Sequence, residues 1–178
     1  MIIYKDIISD DELMSDTYNI KNNPDSPLLW EIDCKRIEKG ADNIQLEGAN
    51  PSAEEAEDAG GDEGTKEMVL DIQDAFRLVE LTADVKPSKD AFKSQLKTYV
   101  RKVNEALKSS GASEETIKEF QGGAQAAVKK LLGNFDNYDV YLGSSMEPNG
   151  MYVLVDYRED GVTPFATIWK HGLKEMKV

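Results

Sequence analysis

The stretch Ser88-Lys89-Asp90-Ala91-Phe92-Lys93-Ser94-Gln95-Leu96-Lys97-Thr98-Tyr99-Val100-Arg101-Lys102-Val103-Asn104-Glu105-Ala106-Leu107-Lys108 decides the fold. Its apolar residues Phe92, Leu96, Tyr99, Val100, Val103 and Leu107 recur at intervals of 4, 3, 1, 3 and 4. That is one face of a helix. Pro87 blocks continuation upstream, Ser88 caps the start, and Gly111 marks the end. A second stripe, Ile117, Phe120, Ala124, Ala127/Val128, Leu131 and Leu132, follows Ser113. Glu114 and Glu115 sit in its first turn, where the helix dipole favours anions. The linker Ser109-Ser110-Gly111-Ala112 is short, which predicts an antiparallel hairpin. Gly122-Gly123 costs about 1 kcal/mol per glycine relative to alanine. A close approach, to the partner helix or to a sheet, would account for it.

Both sides of the hairpin read as strand. Met1 to Tyr4 and Ile7-Ile8 are β-branched or apolar, and Ser9 to Asp16 is an acidic turn or short helix with Ser9 as its N-cap. Leu28 to Ile37 alternates apolar and polar from Trp30 to Cys34, the period of a half-buried strand. Met68 to Leu70 and Ile72 to Leu81 resume strand character, with Phe76, Leu78, Val79 and Leu81 as the buried set. Tyr138 to Gly143, Met151 to Tyr157, Phe165 to Lys170 and a last short strand form a β-meander. Asn149-Gly150 favours a type I′ hairpin turn between the first two, and Asp160-Gly161 a second turn. Strands, a helical hairpin, then strands make the class α+β, with a mainly antiparallel β core.

Between these elements the character changes. Glu47 to Glu67 holds eight acids against one base, Lys66, with four glycines and no aromatic residue. Such a segment cannot bury enough apolar area to offset an ordering entropy of ~1–2 kcal/mol per residue. Lys39 to Thr65 therefore reads as a mobile acidic loop. A single domain over 1–178 follows: 1–38 and 66–83 as β core, 39–65 as loop, 84–134 as hairpin, and 135–178 as the meander completing the core.

Composition narrows the function. The formal net charge is −13, from 21 Lys+Arg against 34 Asp+Glu. Non-specific nucleic-acid binding wants the opposite sign, and so does attraction to an anionic membrane. The longest apolar run, Met151 to Val155, is far short of the ~20 residues of a spanning helix. The acidic N-terminus is unlike a signal peptide. The expectation is a soluble, mostly monomeric protein of the cytoplasm. One cysteine, Cys34, rules out an internal disulfide and a multi-cysteine zinc site. One histidine, His171, leaves little for nucleophilic catalysis. Both read as structural, and the chain as a binding protein that is not an enzyme and needs no cofactor.

Two surfaces carry charge. Lys89, Lys93, Lys97 and Arg101 are spaced by four and share one helix side. From Lys89 to Lys108, six bases against two acids leave +4 on an acidic chain. Its readings are a solvated face, a docking strip for an acidic partner such as a tubulin tail, or a field that holds the chain's own acidic loop. Asp10-Asp11-Glu12 with Asp16 is a capped turn or an anionic patch for a basic surface of a GTPase. The acidic loop lacks the offsets of an EF-hand, so Ca²⁺ binding there would be weak and diffuse.

Two segments resemble signatures of the translationally controlled tumour protein family. Leu46-Glu47-Gly48-Ala49-Asn50-Pro51-Ser52-Ala53-Glu54-Glu55 resembles its loop signature, and Tyr138 to Tyr157, continuing to Phe165, its C-terminal one. Met1 to Asp6 and Asp11 to Asp16 agree as well. The resemblance runs over the full length and implies a β-tent-like core, similar to small Rab-exchange chaperones, with a protruding hairpin and a flexible loop. It implies Ca²⁺ binding, association with tubulin and microtubules, and roles in growth and survival. It also implies action on a Ras-type GTPase (Rheb) or a translation elongation factor. The residue matching the family's GTPase contact is Glu12. The family's tubulin region falls on the Lys93, Lys97 and Arg101 face, and Gly48, Ala49, Asn50, Pro51 and Ser52 are the signature loop. The chain departs at Ser144, where many members carry Glu, and at Glu47, where an aliphatic residue is usual. The cysteine pairs that hold zinc in the Rab-exchange relatives are missing.

Overall fold

The computed structural model describes residues 1–39 and 67–178. Three antiparallel sheets carry the chain. The first joins β1 (Ile2–Asp6), β2 (Glu12–Ser15) and β11 (Leu173–Lys177) in the order β11-β1-β2. The second holds β3 (Asn19–Asn22), β4 (Leu29–Asp33), β7 (Val79–Leu81), β8 (Asp139–Leu142), β9 (Val153–Tyr157) and β10 (Pro164–Trp169), in the order β3-β4-β10-β9-β8-β7. The third pairs β5 (Arg36–Glu38) with β6 (Met68–Leu70), Arg36 opposite Leu70 and Glu38 opposite Met68. The expected α+β architecture with a helical hairpin stands. The expected mobile loop lies outside the described residues.

The hairpin forms as its periodicity dictates. Helix α2 spans Lys89–Ser109 and α3 spans Glu114–Gly133; the shorter α1 spans Asp71–Phe76. Ser88 Oγ accepts from the Ala91 amide and Ser113 Oγ from the Thr116 amide, so both N-caps sit where the sequence puts them. Gly111 takes φ +79°, open to glycine, in the turn between the helices. Phe92, Leu96, Tyr99 and Val103 of α2 and Phe120, Ala124, Ala127 and Leu131 of α3 are buried. Each large side chain among them contributes about 1.5–3 kcal/mol by leaving water. Trp169 of β10 receives Tyr99 and Phe120 at ring distances of 6.4 and 6.1 Å. No residue from 104 to 119 is buried, so the tip of the hairpin stands beyond the core. The close approach that Gly122-Gly123 implied is made by Gly123: a Cβ there would lie 3.1 Å from Leu28, in the chain entering β4.

Five local expectations need correction. Ile72 to Phe76 lies in α1, not in a strand. Gln73 Oε1 accepts from the Leu70 amide, and Asp71 and Asp74 favour the helix N-terminus. Only Ile72 is buried in α1, and Phe76 and Val79 are half-buried. Ser9 caps no helix, because Glu12–Ser15 is strand β2; Leu13, Met14 and Ser15 are all buried, which erased the alternation a strand would show. Asn149 and Gly150 keep negative φ, so no type I′ turn forms. Met146 takes the left-handed conformation instead, in a loop closed by Gly150 N–H donating to Glu147 O. Finally β11 leaves the β8-β9-β10 meander and pairs with β1, Asp6 opposite Leu173.

One buried carboxyl group ties these parts together. Asp6, 1% exposed, accepts from Tyr99 Oη at 3.0 Å, the Met151 amide at 2.7 Å, Ser9 Oγ at 2.8 Å and the Ile8 amide at 3.1 Å. Burial, with Asp6 beside it, pushes the Tyr99 hydroxyl well above its usual range. Asp6→Ala strands these donors and is expected to cost about 3 kcal/mol or more, a Tm drop of roughly 6–12 °C. Tyr99→Phe is expected to cost about half as much. Urea unfolding of both variants and the double variant checks this; additive losses would show that the two groups are uncoupled.

Candidate functional site

Glu12 stands at the mouth of a polar hollow of about 390 Å³ lined by Lys5, Asp10, Asp11, Glu12, Ala75, Phe76, Arg77 and Ser144. Two strained residues shape it. Asp10 has φ 66° and Arg77, the C-cap of α1, has φ 59°. Left-handed backbone in a non-glycine residue costs about 1 kcal/mol or more, so surrounding contacts must enforce it. For Asp10 they are Lys174 at 2.6 Å and Lys5 at 3.2 Å, which hold its carboxyl below the usual range. Asp11 turns inward and accepts from Ser145 Oγ at 2.6 Å and from the Ser145 amide. Gly143 makes this possible, because a Cβ there would overlap the Asp11 carboxyl. Asp11 therefore pins the loop that carries Ser144 and the exposed Met146. Glu12 is exposed, with no described cation within ion-pair reach.

The hairpin carries the second site. Lys93, Lys97 and Arg101 are exposed on α2, and none is ion-paired among the described residues. The structure gives the strip a shape the helix alone did not show. A groove of about 630 Å³ runs between α2 and α3, lined by Lys93, Lys97, Gly122, Gln125, Ala126, Val128, Lys129 and Leu132. A hollow of about 350 Å³ continues it along Lys97, Val100, Gln121, Ala124, Gln125 and Val128. Arg101 does not line either. Lys129 does, and nothing in its own segment pointed to it until α3 was laid beside α2.

Gly48, Ala49, Asn50, Pro51 and Ser52 lie outside the described residues. Among the described residues, no group of three or more His, Cys, Asp or Glu is placed to hold a metal ion. Cys34 is buried, its thiol donates to Ile32 O at 3.3 Å, and burial pushes its pKa up to about 12. No helix among the described residues is long and apolar enough to cross a membrane.

His171 is also held in the core. Its ring stands 5.4 Å from Phe120, Nε2 lies 2.9 Å from Glu119 Oε1, and Nδ1 is buried with no partner among the described residues. An imidazolium would need an acceptor at both nitrogens. Desolvation therefore outweighs the attraction of Glu119, and the pKa falls below the ordinary value. Below about pH 6.5 the unfolded chain takes up a proton that the folded chain refuses, so stability falls with pH in that window. The stability advantage of wild type over His171→Gln is expected to shrink between pH 7.5 and 5.5. Urea midpoints at both values check it; a pH-independent difference would contradict a neutral buried ring.

Known proteins are similar to this chain over its length. The family model described as Translationally controlled tumour protein matches residues 1–174. A translationally-controlled tumor protein homolog of Emericella nidulans is 59% identical over the whole of both chains. The homolog of Saccharomyces cerevisiae is 43% identical, again with full coverage of both. The solved structure of the translationally controlled tumor-associated protein p23fyp from Schizosaccharomyces pombe superposes with a TM-score of 0.75 at 38% identity, covering all of both chains. The solution structure of the Caenorhabditis elegans protein gives 0.66 at 30% identity, covering 100% of this chain and 99% of that one. The chain belongs to the translationally controlled tumour protein family.

Proposed function

We propose that this chain is a non-enzymatic, cytoplasmic interaction protein that associates with microtubules through its helical hairpin. The observation that carries this reading is a cluster of lysines, Lys93, Lys97 and Lys129, unpaired among the described residues, around a groove on an otherwise acidic molecule. Exposed lysines without an ion-pair partner among the described residues, on a chain of −13, favour an acidic partner, and the microtubule surface supplies one. Weak Ca²⁺ association through the acidic segment 39–65 belongs to the same proposal and rests on its charge alone.

The Glu12 hollow favours a second reading, regulation of nucleotide exchange on a Ras-type GTPase or an elongation factor. Its support is an exposed carboxylate, unpaired among the described residues, at the rim of a hollow whose walls are rigidly pinned. A pinned surface binds with less ordering cost than a loose one.

Co-sedimentation with microtubules tests the first reading. Binding is expected to weaken as salt rises, because exposed charges are screened beyond about 10 Å at 0.1 M. Lys93→Glu/Lys97→Glu/Lys129→Glu is expected to lower affinity about tenfold or more, from charge contacts worth a few tenths to about 1 kcal/mol each. Unchanged binding would exclude the hairpin as the contact. Release of a fluorescent nucleotide from the GTPase tests the second: wild type is expected to change the rate and Glu12→Ala to abolish the change. Identical traces with either protein, or with none, would dismiss it.

A further inference from the structure

We infer that the groove between α2 and α3 is a docking site for an acidic amphipathic helix, whose apolar ridge enters the groove while its carboxylates meet the lysine rim. The inference rests on the docking role proposed for this face and adds the shape of what docks. The two hollows share Lys97, Gln125 and Val128, so they form one continuous furrow. On α3 it runs from Gln121 to Leu132, roughly 16 Å at 1.5 Å per residue, or three turns of a partner helix.

The floor is apolar and low. Val100, Val128 and Leu132 supply the contact surface, and Gly122 and Ala126 leave the depression. Val100, Val128 and Leu132 are only half-buried although they belong to the apolar faces of their helices. Covering them would remove further apolar area from water. Among the described residues no acid lines the furrow, and Lys93, Lys97 and Lys129 rim it. Their aliphatic stems can lie along a partner's apolar ridge while the ammonium groups reach its carboxylates. The walls are two helices whose backbone groups are paired within themselves, so the furrow offers no free edge for an extended strand. Side-chain interdigitation is what remains, and a helix presents its ridge at the spacing that a groove between two helices accepts.

The probe is a labelled 18-residue peptide with leucines at positions 3, 7, 10 and 14 and glutamate and alanine elsewhere. Its control is a scrambled peptide of the same composition with no ridge. Fluorescence anisotropy with the full chain is expected to show the ridged peptide binding at least tenfold tighter than the scrambled one. Gly122→Gln is expected to erase that preference by filling the depression. A Cβ at Gly122 meets nothing within 4 Å, so the fold should tolerate it. Val128→Asp is expected to do the same, with circular dichroism verifying that the variant is folded. Equal binding of the two peptides would overturn the inference, and lysine-dependent microtubule binding alongside that result would leave the proposed function standing. Ridge-selective peptide binding without microtubule binding would do the opposite, keeping the furrow as a helix-docking site and removing the microtubule as its partner. A concentration-dependent dimer in sedimentation that Gly122→Gln dissolves would also overturn the inference, by assigning the furrow to a second copy of this chain.

Discussion

Asp6 places a carboxyl group where three parts of the molecule meet, and the arrangement of everything else follows from satisfying it. Its oxygens draw in the Tyr99 hydroxyl from α2, the Met151 amide from the loop before β9, and Ser9 from the turn after β1. A buried polar group left without donors costs more than the bond it fails to make. The three parts are therefore held at one separation. Gly172 shows how tight that separation is: a Cβ there would overlap the Tyr99 hydroxyl and crowd Met151. Gly172 O in turn accepts from the Ile7 amide at 2.9 Å, so the β11–β1 pairing and the hairpin share one joint.

From that joint the two charged surfaces inherit their rigidity. The turn at Ser9 leads through Asp10 to Asp11, whose amide donates to Ser9 Oγ and whose carboxyl group fixes Ser145. Glu12 is thus the first free carboxylate, among the described residues, on a run of fixed ones. In the six-stranded sheet the logic repeats. Arg158 bridges Glu31 and Asp33 and lies 4.0 Å over the Phe165 ring. Lys21 completes the pair at Asp33. Acids that serve the fold are partnered there, and those left over are on the outside. The same sorting leaves Lys93 and Lys97 without ion-pair partners among the described residues, although acids outnumber bases in the chain.

Periodicity made the hairpin legible, because a stripe of Phe92, Leu96, Tyr99 and Val103 has one reading and the caps at Ser88 and Ser113 agree with its phase. Strand β4 was legible from its alternation, and β8, β9 and β10 as apolar and aromatic runs set between turn residues. Where both faces are covered, as at Leu13-Met14-Ser15, alternation disappears and with it the signal for β2. A six-residue helix such as α1 is shorter than the window in which helical spacing can be distinguished from an apolar run. The Asn149-Gly150 pair has the residues of a tight turn, but Gly150 is needed against Asp6, where a Cβ would lie 2.9 Å from Oδ2. Tertiary demand thus overrode turn chemistry. Of the sites, Glu12 and the lysines of α2 could be named from one segment. Arg77, the Ser144 wall and Lys129 could not, because each depends on a second segment folded against the first.

The contrast between total charge and local charge shapes how docking on the hairpin must work. At distances beyond a Debye length of about 8 Å in physiological salt, a partner senses little, and what it senses is a net −13 that repels acids. Attraction begins only when Lys93, Lys97 and Lys129 are closer to the partner than the rest of the surface is. That condition selects orientation: an acidic partner arriving at the hollow meets the carboxylate of Glu12, unpaired among the described residues, and one arriving at the furrow meets the lysines. Steering of this kind favours specificity over speed, because only a fraction of encounters begin on the attractive face. Since contact charges on a wet surface are individually weak, residence depends on what the lysines surround. The apolar floor from Val100 to Leu132 is the part of that face able to supply it.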